Sequence, residues 1–303
     1  MAEGGSSPPA GNATAPDQTL LIRGAPVLFV LLWATGFLMA KFAIPYAEPF
    51  TILVIRFALA SAMMACVAII FGARWPRSLG EAGHIAMTGV LLQAVYLGGC
   101  YAAIYAGLAA GVVALIAGLQ PVVTAALSGP LLGEHLKPLQ WLGAVLGFVG
   151  LSMVIWHKLS FDPDHLWALA FAFVQLFGIT AATFYQKRFC PRADLKSGAA
   201  IQYAAATLVL LPVMLWLGVG EIDWQAEFIF AMGWIVIVLS GISIALLTWM
   251  LQRGAAARVA SLFYLTPPVA ALGGFLLFGE TLDALAIAGM GVVALGVALV
   301  NRR

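Results

Sequence analysis

Apolar positions in this chain are gathered into long runs separated by brief polar breaks. Ten runs of about 17 to 24 residues lie at about 24–44, 49–71, 84–105, 110–132, 138–156, 166–186, 197–218, 228–251, 259–278 and 284–301. Each is long enough to cross the ~30 Å hydrocarbon layer of a bilayer as a helix. The pattern predicts an all-α integral membrane protein of ten transmembrane helices with no extramembrane domain. The longest connections are the acidic loop from Glu221 to Glu227 and the loop from His157 to His165. Residues 1–22 are rich in Gly, Ser, Pro and Ala and read as a disordered amino-terminal segment. They lack the basic region and cleavage pattern of a signal peptide.

The runs repeat. The stretch from Val113 to Gly150 returns from Val259 to Gly296 with a constant shift of 146 residues and no gap. The shift superposes Pro121 on Pro267, Gly133 on Gly279, Glu134 on Glu280, Gly143 on Gly289 and Gly150 on Gly296. Further upstream it takes Lys41 to Lys187 and Pro45 to Pro191. Residues 23–158 and 159–303 therefore read as two repeats of five spans. Five is odd, so the second repeat enters the membrane upside down relative to the first. Loop charge gives the orientation. With the amino terminus inside, twelve Lys and Arg residues fall on the inner side, and only Lys41 and Lys158 on the outer. That bias puts both termini in the cytoplasm. Inverted repeats are the architecture of secondary transporters, whose substrate site lies near the midplane between the halves.

Composition narrows the class. Hydrophobic residues make up 63% of the chain, charged residues 9%, and mean hydropathy is +1.01, which excludes a water-soluble surface. The net charge of +2 is spread over short loops, so nucleic acid is not an expected partner; the lipid bilayer is. Cys66, Cys100 and Cys190 are too far apart in sequence to suggest a disulfide framework, and no histidine pairs with Cys or acid at ligand spacing, so no metal site is expected. The sequence holds no HExxH motif, no nucleophile–base arrangement within the membrane and no phosphate-binding loop, so neither an enzyme nor a cofactor is expected. An intramembrane enzyme acting on lipid-linked substrates, or a passive pore, is the alternative class. The first needs ionisable groups converging at one interface, and the second a continuous polar path.

Some side chains inside the spans stand out chemically. Arg56, the most interior charge, lies seven residues past Pro49, about 10 Å along its helix. It either pairs with a substrate carboxylate or snorkels to the interface or to a neighbouring carbonyl. Its repeat counterpart is Gln202. Gln93, Tyr96 and Cys100 share one helical face, as do Gln175, Thr183 and Gln186, Trp33 and Phe37, and Ser261 and Tyr264. Such faces point inward, either to line a cavity or to bond helix to helix. Gln120 and Thr266 precede Pro121 and Pro267, which interrupt the helical ladder as hinges or as static bends. Glu134 and Glu280 read as helix-end charges. Gly143, Gly147, Gly289 and Gly296 allow close helix contact, within one chain or across a homodimer. No Asp or Glu lies deep in any span, which argues for facilitated diffusion or exchange, or for coupling through backbone carbonyls.

The order Trp33-x-x-Gly36, Lys41, Pro49, Arg56-Phe57, Leu119-x-Pro121 and Gly133-Glu134, followed by Leu265-x-Pro267 and Gly279-Glu280, resembles the EamA-type exporters of the drug/metabolite transporter superfamily. The resemblance covers essentially the whole chain after residue 23. It implies ten helices in two inverted halves and export of amino acids or other small metabolites across an inner membrane. The expected substrate contacts are Trp33, Phe37, Arg56, Gln93, Tyr96, Gln120, Gln175, Thr183, Gln202 and Tyr264. The second half departs from the first in having Gln202 for Arg56 and Ile179 for Trp33, so the halves are expected to contribute unequally.

Overall fold

A computed structural model of the chain describes residues 16–120, 123–124, 127, 138–156, 163–244, 246, 250, 266–279 and 283–300. These residues are helical with short connections, and no strand occurs among them. In chain order the helices are α1 (Pro16–Ala43), α2 (Pro49–Ile70), α3 (Leu79–Tyr105), α4 (Ala110–Ala117), α5 (Pro138–Ile155), α6 (Pro163–Phe189), α7 (Leu195–Leu217), α8 (Ala226–Ser243), α9 (Thr266–Phe278) and α10 (Ala284–Val300). Six of them are long and apolar enough to cross a membrane: α1, α2, α3, α6, α7 and α8. The described parts of α4, α5, α9 and α10 carry shorter apolar helix at the other four places.

Local sequence explains the helix ends. Pro49 opens α2, where a missing backbone N–H costs no intrahelical bond. Ser78 caps α3 by accepting from the Glu81 N–H at 3.1 Å, and the Glu81 carboxylate accepts from the Arg77 N–H at 2.8 Å. Asp194 caps α7, accepting from the Lys196 N–H at 2.9 Å. One boundary differs from expectation. Helix α1 begins at Pro16, so residues 16–22 are helical rather than part of a disordered segment. The Gly/Ser/Pro-rich composition ends there, and Asp17 to Ile22 contains no helix breaker.

Two helices contain a wide turn that hydrophobicity did not reveal. Val90–Val95 in α3 and Trp234–Ser243 in α8 follow the i→i+5 pattern of a π-helix. Shifting the first by 146 residues places it inside the second. Within the α8 turn the Ser240 hydroxyl donates to the Ile235 carbonyl five residues back, at 3.2 Å.

Helix pairing obeys an approximate two-fold exchange of the halves. Helices α2 and α7, α4 and α9, and α5 and α10 pack as equivalent pairs, and α3 on α6 is matched by α8 on α1. The first of these pairs is tied at both ends by corresponding bonds. The Thr51 hydroxyl donates to the Val219 carbonyl at 2.8 Å, and Ser197, its counterpart, donates to the Arg74 carbonyl at 2.6 Å. The α5–α10 pair meets through glycine. A Cβ on Gly150 would lie 2.7 Å from the Gly289 oxygen, and one on its counterpart Gly296 would lie 2.5 Å from the Gly143 oxygen. Bare backbones touch there because apolar side chains gain nothing from leaving lipid, and contact must come from close packing. The glycines of both spans thus serve packing within one chain.

Candidate functional site

The paired helices leave a cavity of about 440 Å³ at the centre of the bundle, in the size range of small-molecule sites. Its walls come from both halves at equivalent positions: Trp33 and Ile179, Phe37 and Thr183, Arg56 and Gln202, Gln93 and Leu239, Gln120 and Thr266. The cavity therefore sits on the pseudo-two-fold axis. The chemistry of these five pairs is uneven, since the first half supplies the cation and two amides at them, while the second supplies one amide, two hydroxyls and branched aliphatics.

Arg56 is held in the wall at 7% exposure. Its Nη1 donates to the Tyr101 hydroxyl at 3.4 Å, and its Nε has no partner among the described residues. The guanidinium makes no hydrogen bond to a described helix carbonyl. The next residue, Phe57, stacks on its counterpart Tyr203 with ring centroids 5.8 Å apart, fixing α2 against α7 beside the cavity. Gln93, Tyr96 and Cys100 share the wall contributed by α3, Gln93 lying in the wide turn and Cys100 at 2% exposure. Gln120 donates to the Thr183 hydroxyl at 3.1 Å, joining the segment after α4 to α6 within the wall.

Eight of the ten expected contacts line this one space: Trp33, Phe37, Arg56, Gln93, Tyr96, Gln120, Thr183 and Gln202. Gln175 does not. It is fully buried, and its amide donates to the Val113 carbonyl at 2.9 Å, bonding α6 to α4. Tyr264 and Pro121 lie outside the described residues, as do Glu134 and Glu280. Pro267 is the second residue of α9, and the helical ladder it would interrupt falls within 251–265, also outside them. Tyr101 and Tyr203 were not anticipated. Their signals were present: Tyr203 is the 146-shifted partner of Phe57, and Tyr101 follows Cys100. Among the described residues no cluster of His, Cys, Asp and Glu could hold a metal ion.

The cavity reaches one end of the bundle, at Ala193, Asp194 and Leu195 at the start of α7. The opposite end is bonded across. There the Asp223 N–H donates to the Tyr46 carbonyl at 2.9 Å, and the Tyr105 hydroxyl donates to the Glu48 carboxylate at 3.1 Å. Tyr46, Phe228 and Trp224 pack as a chain of rings over the same end.

The sequence profile of the EamA-like transporter family matches residues 24–156 and again 166–302. The chain is 24% identical over 289 residues to the uncharacterized inner membrane transporter YedA of Escherichia coli K12, covering 94% of this chain and 92% of that one. It is also 24% identical to the uncharacterized transporter YvbV of Bacillus subtilis 168, covering 90% and 89% respectively. A solved crystal structure superposes with a TM-score of 0.66 at 17% identity, over 91% of this chain and 94% of that one.

Proposed function

The chain belongs to the EamA-like transporter family, and on that premise we propose that it exports small amphiphilic metabolites, amino acids and related solutes among them, across an inner (plasma) membrane. It is a multi-pass membrane protein built of two copies of the family's domain. The observation that carries the proposal is the central cavity, lined at five repeat-equivalent positions by both halves. In a duplicated carrier a site on the exchange axis is one that either half can uncover.

The mechanism is alternating access between inverted halves. The open end at Asp194 lies beside Arg74, Arg192 and Lys196. That basic side is the cytoplasmic one by the loop-charge rule. We read this conformation as one that accepts cargo from inside, a reading supported by the Tyr46–Asp223 bond that joins the two halves at the far end. Export requires that bond to part while the α7 end closes. The glycine seam and the doubly tied α2–α7 pair stay together and serve as the pivot. Trp33, Phe37 and Tyr96 receive the apolar part of the cargo, and Arg56, Gln93, Gln120, Thr183 and Gln202 its polar groups.

The test is efflux from proteoliposomes loaded with a panel of amino acids and organic cations, for the wild type and for Trp33→Ala. Transport of at least one class, slowed by Trp33→Ala, is the expected result. A second measurement addresses inversion: single cysteines placed beside Glu134 and Glu280 should react with impermeant reagent from opposite sides. Labelling of both from one side would remove the basis for alternating access.

A further inference from the structure

No acidic residue of the chain lies within an apolar run, so no span is expected to carry a carboxylate to the middle of the cavity. The charged residues in the described wall are Arg56 and Asp194. Asp194 caps α7 at the cavity's end. Its two carboxylate oxygens accept from the Lys196 N–H at 2.9 Å and the Arg74 N–H at 3.3 Å. It also stands eight residues ahead of Gln202, about 12 Å along α7 from the level of the Arg56 pair. Arg56 is therefore a buried cation without a counter-charge at its own level of the described wall. A guanidinium has five N–H donors, and the single described bond, at 3.4 Å, is long for an N–H···O contact. Its Nε is orphaned among the described residues, and the Thr266 hydroxyl in the same wall is likewise without a described partner.

A buried charge so placed is costly unless an opposite charge arrives. We propose that the cargo is an organic monoanion, with its carboxylate on Arg56 and its apolar body against Trp33, Phe37 and Leu239. The inference rests on reading the cavity as the transport site. A carboxylate can take two guanidinium donors at once. A free ammonium on the same molecule would find no carboxylate beside Arg56 in the described wall, Asp194 lying about 12 Å away along α7, and an organic cation would meet the guanidinium's like charge. Net charge, more than ring or chain identity, is then what the site reads. Carboxylates whose amine is masked or absent are preferred over the parent amino acids.

Three solutes of nearly one shape separate these cases: N-acetylphenylalanine (anion), phenylalanine (zwitterion) and phenylalaninamide (cation). Binding to the purified full-length protein is read by tryptophan fluorescence and calorimetry, and transport by exchange in proteoliposomes. The expected order is anion, then zwitterion, then cation, with about tenfold or more between the first and last. Arg56→Gln should flatten the order, and Arg56→Lys should keep it in weaker form. If Arg56→Gln does not fold, the wild-type series and Arg56→Lys still decide. Equal or reversed order in the wild type, with transport intact, overturns the monoanion assignment and leaves the carrier reading standing. The expected order in binding without any transport supports the assignment and removes the carrier reading.

Discussion

Replacing Gly296 by Ala should loosen the α5–α10 pair, while the same change at Gly291, in the same helix, should not. The added Cβ at Gly296 would lie 2.5 Å from the Gly143 oxygen and 2.6 Å from the Gly147 nitrogen. Both are backbone atoms of a regular helix and have no rotamer through which to yield. Restoring the 3.4 Å of ordinary contact needs a separation of about 0.9 Å, which strips close contact from the rest of the seam. Overpacking of this kind costs about 1–3 kcal/mol. Gly291 has nothing within 4 Å of its would-be Cβ, so Ala there removes only the backbone freedom of glycine and gains about 0.5–1 kcal/mol. The two variants should shift the melting temperature in opposite directions, Gly296→Ala downward and Gly291→Ala level or upward. The assay is thermal unfolding of detergent-purified protein, followed by tryptophan fluorescence or by loss of the monodisperse peak on size exclusion. Equal melting temperatures for Gly296→Ala and the wild type would refute the seam as a backbone contact.

Other outcomes follow from the same geometry. Thr51→Ala and Ser197→Ala each remove one hydroxyl-to-carbonyl tie, at opposite ends of the α2–α7 pair. Each should cost about 1 kcal/mol in thermal unfolding, and the double variant about the sum. In a Cys66→Ser, Cys190→Ser background, Cys100 reports on the cavity it lines; cargo at ten times its Kd should slow alkylation of that thiol about tenfold. An unchanged rate would place the cargo elsewhere. With no acidic group inside any span, cargo exchange in vesicles should persist when sodium and proton gradients are collapsed; its loss would mean that an ion is coupled through other groups.

Helical structure and six membrane-length spans were legible because a long apolar run is itself what a helix needs to cross a bilayer. The pairing of halves was legible from the 146-residue register, which also located the cavity: Trp33, Phe37, Arg56, Gln93, Gln120, Thr183 and Gln202 all sit at positions whose counterparts line it too. What periodicity cannot supply is the choice between a side chain that meets open space and one that meets a backbone. Gln175 shows the difference. It lies on the same helix as Thr183, yet its amide is taken by the Val113 carbonyl, a group from a segment far away in sequence. The wide turns in α3 and α8 were hidden for another reason. A π-turn changes the hydrogen-bond ladder while leaving the apolar composition of the segment untouched.

Those two turns also carry a record of descent. A local irregularity of this kind, standing at matching places in both copies, is most simply inherited from the gene before it doubled. The single-length forebear would then have possessed the irregularity already. It would also have exposed the faces of α2 and α5 that now lie against α7 and α10. Such a molecule would have needed a second copy of itself to cover them. Joining two copies in one chain would have made that partnership permanent and allowed position 56 to differ from position 202.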